Sequence, residues 1–222
     1  MLHPSLSIVC LPKATPTDHL ADAADTRLTD IGYMGLGPAG HFITRGRARR
    51  RRGRLLQPWR NTAAGGPVAL LDLDAMRTAG QHLYGYRWAL WNQVVAGTRP
   101  AQPFWVFLDR HDHDPIKYPL SRAQRDYLSQ PRIASMRTYN ALPHKVMELP
   151  TAHLEAFQTG GQVYAYYGWL TAVPGDGLLR PDGRYLSQVK GDHPSRLTYL
   201  DKANWAIAAL GDDDILVAVN TR

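Results

Sequence analysis

Arg45, Arg47, Arg49, Arg50, Arg51, Arg52 and Arg54 crowd into one ten-residue stretch, and Arg60 follows just beyond. No acidic residue lies between Asp30 and Asp72. Guanidinium is planar, permanently charged and able to donate two parallel hydrogen bonds, a geometry that fits phosphate oxygens. Like charges this dense repel one another, so the run belongs on a solvated segment or beside a polyanion. If five of these arginines met phosphates on a duplex, log K would fall with log salt at a slope of roughly −4 to −5. His41, Phe42 and Trp59 flank the run and offer rings on which bases can stack. A second basic group holds Lys117, Arg122, Arg125, Arg132 and Arg137, with Asp126 nearby. Arg122 and Arg125 are three apart and share a helix face. An ordinary solvated helix surface fits that second group equally well.

The run His111-Asp112-His113-Asp114 carries the most enzyme-like chemistry in the chain. On an extended segment, alternate residues point the same way, so His111 with His113, or Asp112 with Asp114, would face a divalent metal together. A catalytic metal needs about three protein ligands. His41, His82, His144 and Asp192-His193 are candidates for the third, but no spacing brings them in. The preferred reading is a polar hairpin turn ahead of Pro115, and no catalytic residue, metal ligand or cofactor is assigned. No P-loop is present, and Gly35 to Gly40 does not match a dinucleotide fingerprint. Asp212-Asp213-Asp214 follows Gly211 and reads as a solvated turn. Cys10 lies in an apolar run, where a thiol is usually inert packing.

The elements that must hold these groups follow from periodicity and turn residues. The 222 residues carry 26 Lys and Arg against 19 Asp and Glu, a formal charge of +7. The pattern predicts an α+β fold: a small mixed sheet with flanking helices and a long basic Gly/Arg-rich loop. It is read as one domain, 1–222, with 31–66 as an exposed arm that orders on binding. Strands are expected at 5–11, 103–108 and 116–120, the last two as a hairpin, and at 145–149 and 215–219. Helices are expected within 17–30 and from the caps Asp72 and Asp74 to about Ala96, ended by Gly97 and Pro100. Further helices are expected from Ser121 to Pro131, over 151–159 and over 200–210. Residues 163–173 (VYAYYGWLTAV) stay open between helix and strand. Trp91 and Trp105 are expected in the core. A single cysteine excludes an internal disulfide. No apolar run approaches the roughly 18 residues of a membrane span, and no signal peptide is expected, so the chain is read as cytoplasmic.

The order of features over 88–127 resembles the central part of the large subunit of type IV CRISPR–Cas effector complexes. That order is an aromatic helix, a Pro-containing link, a strand opened by Gln102-Pro103-Phe104, a polar turn over His111 to Lys117, a second strand, and then Ser121-Arg122 with further basic residues. Members of that family usually carry an N-terminal zinc site of two cysteine pairs. Cys10 alone cannot form one, so the resemblance implies a divergent, zinc-free version. It further implies a non-catalytic subunit of a ribonucleoprotein effector, contacting crRNA and target DNA near the flanking motif, with other effector subunits as partners. Arg45 to Arg54, Lys117, Arg122 and Arg125 would then meet phosphates. Two alternatives stand beside it: a metal-dependent nuclease or toxin using His111 to Asp114, and a phage or plasmid structural protein whose arginine arm neutralises nucleic acid.

Overall fold

A computed structural model describes residues 5–190 and 192–222, apart from the side chains of 47–49. The chain forms two compact units. One gathers the residues up to Gly80 with Trp169–Arg222, and the other is Gln81–Gly168. In chain order the first elements are β1 (Ser5–Leu11), α1 (Leu20–Thr29), β2 (Gly35–Pro38), β3 (Phe42–Ile43), β4 (Thr62–Ala63) and β5 (Gly65–Pro67). Then come α2 (Leu73–Val94), α3 (Phe104–His113), α4 (Leu120–Leu128), α5 (Pro131–Asn140), α6 (Leu154–Gln158) and α7 (Gly161–Thr171). The chain closes with β6 (Gly177–Leu179), β7 (Tyr185–Ser187), α8 (His193–Ala208) and β8 (Ile215–Thr221). The fold is α+β: among the described residues, eight α-helices, a six-stranded mixed sheet and a two-stranded hairpin.

The first unit is built on its two most apolar strands. β1 lies antiparallel to β8 in full register, from Ser5 opposite Thr221 to Leu11 opposite Ile215, and parallel to β6 on its other side. A strand buried on both faces loses the polar alternation of a half-solvated one, which is why residues 8–11 read as a continuous apolar run. Val9 and Leu11 pack with Leu20, Ala24 and Leu28 of α1 and with Val217 of β8. Ile8 and Cys10 are equally buried on the other face. Burial pushes the Cys10 thiol up to about 12. The buried hydroxyls of Ser7 and Thr221 lie 3.0 Å apart, and Tyr185 Oη is 2.9 Å from Ser7 Oγ, so these polar groups satisfy one another.

The expected free arm at 31–66 is instead tied into this sheet. β2 and β5 pair with successive parts of β8, and β3 with β4. Phe42, Ala63 and Ala64 are fully buried. The glycines there serve close approach rather than looseness. A Cβ on Gly65 would stand 2.5 Å from the Leu216 carbonyl oxygen, and Gly66 has φ +153. Gly65→Ala is therefore expected to destabilise the first unit by about 1–3 kcal/mol, the usual range for overpacking. Gly40→Ala, with nothing within 4 Å of the added carbon, serves as a near-neutral control in the same urea titration.

His41 precedes Phe42 in this region and is largely buried, with Nε2 3.1 Å from the Val173 carbonyl oxygen. Burial depresses its pKa below the ordinary 6.5. The unfolded chain therefore binds a proton more readily than the folded one. The His41 contribution to stability is complete above pH 6.5 and is lost as pH falls toward the depressed folded value. Urea midpoints should drop between pH 7.5 and pH 5.5, and His41→Gln, whose amide can still donate to Val173, should flatten that part of the drop.

The second unit is helical, which overturns three expected strands. Residues 103–108 open α3, 116–120 form a turn entering α4, and 145–149 are irregular. The prolines explain the error. Pro103 and Pro119 sit in extended conformation at the N-caps of α3 and α4, and Pro131 is the first residue of α5. Proline is favoured at helix starts because the missing N–H is unpaired there anyway. Residues 163–173 resolve as α7 with the turn after it, beginning just past Gly160 at φ +109. Phe157 is the hub of the core, stacked on Trp91 with ring centroids 5.0 Å apart and on Tyr164 at 4.3 Å. Trp105, expected in the core, is half exposed and donates Nε1–H to Glu155 Oε1 at 3.1 Å.

Candidate nucleic-acid interface

The arginine run is a pinned segment of the first unit. Gly46–Arg54 forms two 3-10 turns joined by a kink at Arg51, φ −123 and ψ 28. At its start Arg45 donates its backbone N–H to Leu70 O (2.9 Å) and its side-chain Nε–H to Leu71 O (3.0 Å). At its end Leu55 is buried, and its N–H reaches Arg52 O at 3.0 Å. Arg45 is thus partly buried and anchors the segment. Arg50, Arg51, Arg52 and Arg54 are exposed. The side chains of Arg47 and Arg49 lie outside the described residues. Arg45, Arg50 and Arg51 line a recess of ≈ 280 Å³ with Ala69, Leu70 and Asp212.

Two acids missed by a local reading of charge also reach this segment. Arg54 Nη2 lies 3.5 Å from Asp213 Oδ1, and Asp212 lines the recess. Both come from the turn that precedes β8, far along the chain, so no sequence window holds them with the arginines. The sheet brings them in by pairing β5 with β8, which also lets Ala69 N–H bond Asp212 O at 2.9 Å.

Next to the arginine segment a tight hairpin presents an indole. Trp59 and Thr62 exchange two backbone hydrogen bonds, each 2.8 Å, around the two-residue turn Arg60-Asn61. Thr62 Oγ1 donates to Trp59 O at 2.9 Å. Arg60 holds φ +52 and Gln57 φ +45, both unusual for residues bearing a Cβ. The Arg60 carbonyl accepts from Arg52 Nη2 at 3.2 Å, which ties the hairpin to the 3-10 segment. Trp59 is 72% exposed. Of the other two expected stacking rings, Phe42 is fully buried and His41 is bonded to Val173.

The second basic group lies on the helical unit and is largely committed to partners. Lys117 Nζ is 3.2 Å from Asp114 Oδ2, and Arg122 Nε is 3.8 Å from Asp126 Oδ2. The Arg122 guanidinium also lies over the Tyr118 ring at 5.2 Å. The Lys117 backbone N–H, and then its ammonium group, hold Asp114 below the usual carboxylate range. Arg122 and Arg125 do lie together on α4, as their spacing predicts, and both are exposed, as is Arg137. Arg132 is a structural clamp, bonded to Thr98 and Gln158.

His111 to Asp114 sit at the end of α3, not on an extended turn. At about 100° per residue, His111 and His113 point to different sides. His111 Nδ1 is 2.9 Å from Tyr118 O. His113 instead lines an open recess with Asp109, Arg110 and Asp112. Among the described residues, no three His, Cys, Asp or Glu side chains are grouped to hold a metal ion, and no helix is long and apolar enough to cross a membrane. No family model matches the chain, and no curated protein or solved structure matches it.

Proposed function

We propose that this chain binds nucleic acid through the sugar–phosphate backbone and holds it without cutting it. One observation carries the reading. Arg50, Arg51, Arg52, Arg54 and Arg60 are exposed on one pinned stretch of the first unit. Among the described residues of that stretch, only Arg54 has a carboxylate within ion-pair range. Fixed like charges raise the local positive potential, and a polyanion that releases its counterions there gains affinity. Arg125 and Arg137 on the helical unit supply further exposed cations.

Binding should be measured by fluorescence anisotropy with labelled single strands and duplexes over a salt series. Five phosphate contacts predict slopes of log K against log salt of roughly −3.5 for single strands and −4.5 for duplexes, with the oligonucleotides recovered intact. A flat salt response would end this reading.

The narrower proposal is a subunit of a type IV CRISPR effector, contacting crRNA and target DNA beside partner subunits through the arginine segment, Lys117, Arg122 and Arg125. Its support is the order of residue types over 88–127 together with the arginine content. The two strands in that order are helix and turn in this chain, so residue order and charge carry it without them. Purification of the native complex tests it: guide-length RNA and companion proteins should copurify, and their absence would leave only the general binding role.

A further inference from the structure

We infer that Trp59 is a stacking platform for an unpaired base, and hence that the preferred ligand is single-stranded nucleic acid. This rests on the arginine segment being a phosphate-binding surface. A large apolar ring 72% exposed to water gains free energy when a flat partner covers it. The Trp59–Thr62 hairpin fixes the backbone that carries the ring through two 2.8 Å hydrogen bonds and the Thr62 side chain, so little ordering remains to be done on binding. Arg60 adjoins the ring in sequence, and Arg52 is tied to the Arg60 carbonyl. Guanidinium groups that meet phosphates thus occur beside a ring that meets a base, the pairing of functions seen in single-strand binders. In a duplex both faces of an internal base are already covered by its neighbours, and Trp59 would gain nothing there.

Trp205 on α8 supplies an internal control, because it is as exposed as Trp59 but stands outside the arginine segment. Affinities of the full chain for mixed-sequence single strands and for duplexes should be compared for wild type, Trp59→Ala, Trp59→Phe and Trp205→Ala. Trp59→Ala should lose roughly five- to a hundredfold in single-strand affinity, the usual alanine effect for one base–aromatic stack. Its salt slope and its duplex affinity should not change. Trp59→Phe should recover most of the loss, and Trp205→Ala should match wild type. Undiminished single-strand binding by Trp59→Ala, or an equal loss for duplex, overturns the inference while the arginine reading stands. Absence of salt-dependent binding in wild type removes both. If Trp59→Ala keeps its nucleic acid but sheds a copurifying protein, the ring serves a protein contact and the inference is wrong.

Discussion

Replacing Arg50, Arg51, Arg52, Arg54 and Arg60 together by glutamine is expected to lower single-strand affinity on the order of a thousandfold at 0.1 M salt. The figure follows from five lost phosphate contacts at about −0.7 each per decade of salt, counted down from 1 M. Glutamine keeps length and hydrogen-bonding capacity, so the loss isolates charge. Arg45 is excluded because its Nε–H holds the Leu71 carbonyl and its removal would loosen the segment itself. Stability should change little, since the five side chains are exposed. Anisotropy titrations from 0.05 to about 0.5 M salt are the direct check, and an unaltered slope would contradict the assignment. The acids brought in from the turn before β8 should act with the opposite sign. Asp212→Asn with Asp213→Asn removes two negative charges that compete with phosphate, and a severalfold gain in affinity is expected in the same titration.

Arg132→Ala is expected to destabilise the helical unit by about 2–4 kcal/mol, because the side chain makes several charge-assisted bonds at once. Its Nε and Nη2 reach Thr98 Oγ1 at 3.1 Å and Thr98 O at 2.8 Å, and Nη1 reaches Gln158 Oε1 at 2.9 Å. The guanidinium also lies 5.3 Å from the Trp91 ring centroid. Gln158 in turn holds both backbone groups of Ala101. Arg132 therefore fastens α5 to α6 and to the link that follows α2. Lysine lacks the fork, so Arg132→Lys should restore little. Urea denaturation measures the effect, and a change under 0.5 kcal/mol would refute the clamp. Under conditions where the variant stays folded, its salt slope with nucleic acid should equal that of wild type. That separates Arg132 from Arg122 and Arg125, with which its sequence position groups it.

What was legible in the sequence tracks how local each determinant is. β1 and β8 are short apolar runs buried on both faces and were readable as strands from composition. The start of α2 was readable because Asp72 Oδ1 accepts the Ala75 N–H at 3.1 Å, a cap formed within one turn. Residues 103–108 were misread because Phe104, Trp105, Val106 and Phe107 favour strands by type, while the helix is decided by Pro103 ahead of them and by burial of Phe107. The glycines of 31–66 suggest freedom, but Gly65 is needed because the Leu216 backbone stands where a side chain would go. Among the site residues, the exposure of the arginines and of Trp59 was anticipated. The approach of Asp212 and Asp213, and the burial of Phe42, depend on pairing across the whole chain and left no mark in any local window.

The pairing of Ser5–Leu11 with Ile215–Thr221 bears on how a ribosome must deliver this fold. The helical unit, Gln81–Gly168, is contiguous and can assemble while the rest is still being made. The sheet cannot close until its last central strand emerges, since β8 stands between β1 on one side and β2 and β5 on the other. Until then β1 and the glycine-rich strands wait with open edges, in a chain that already displays its arginines. During synthesis the nascent sheet is thus the vulnerable half, and a stall before residue 215 strands it unpaired beside a neighbour that has already folded.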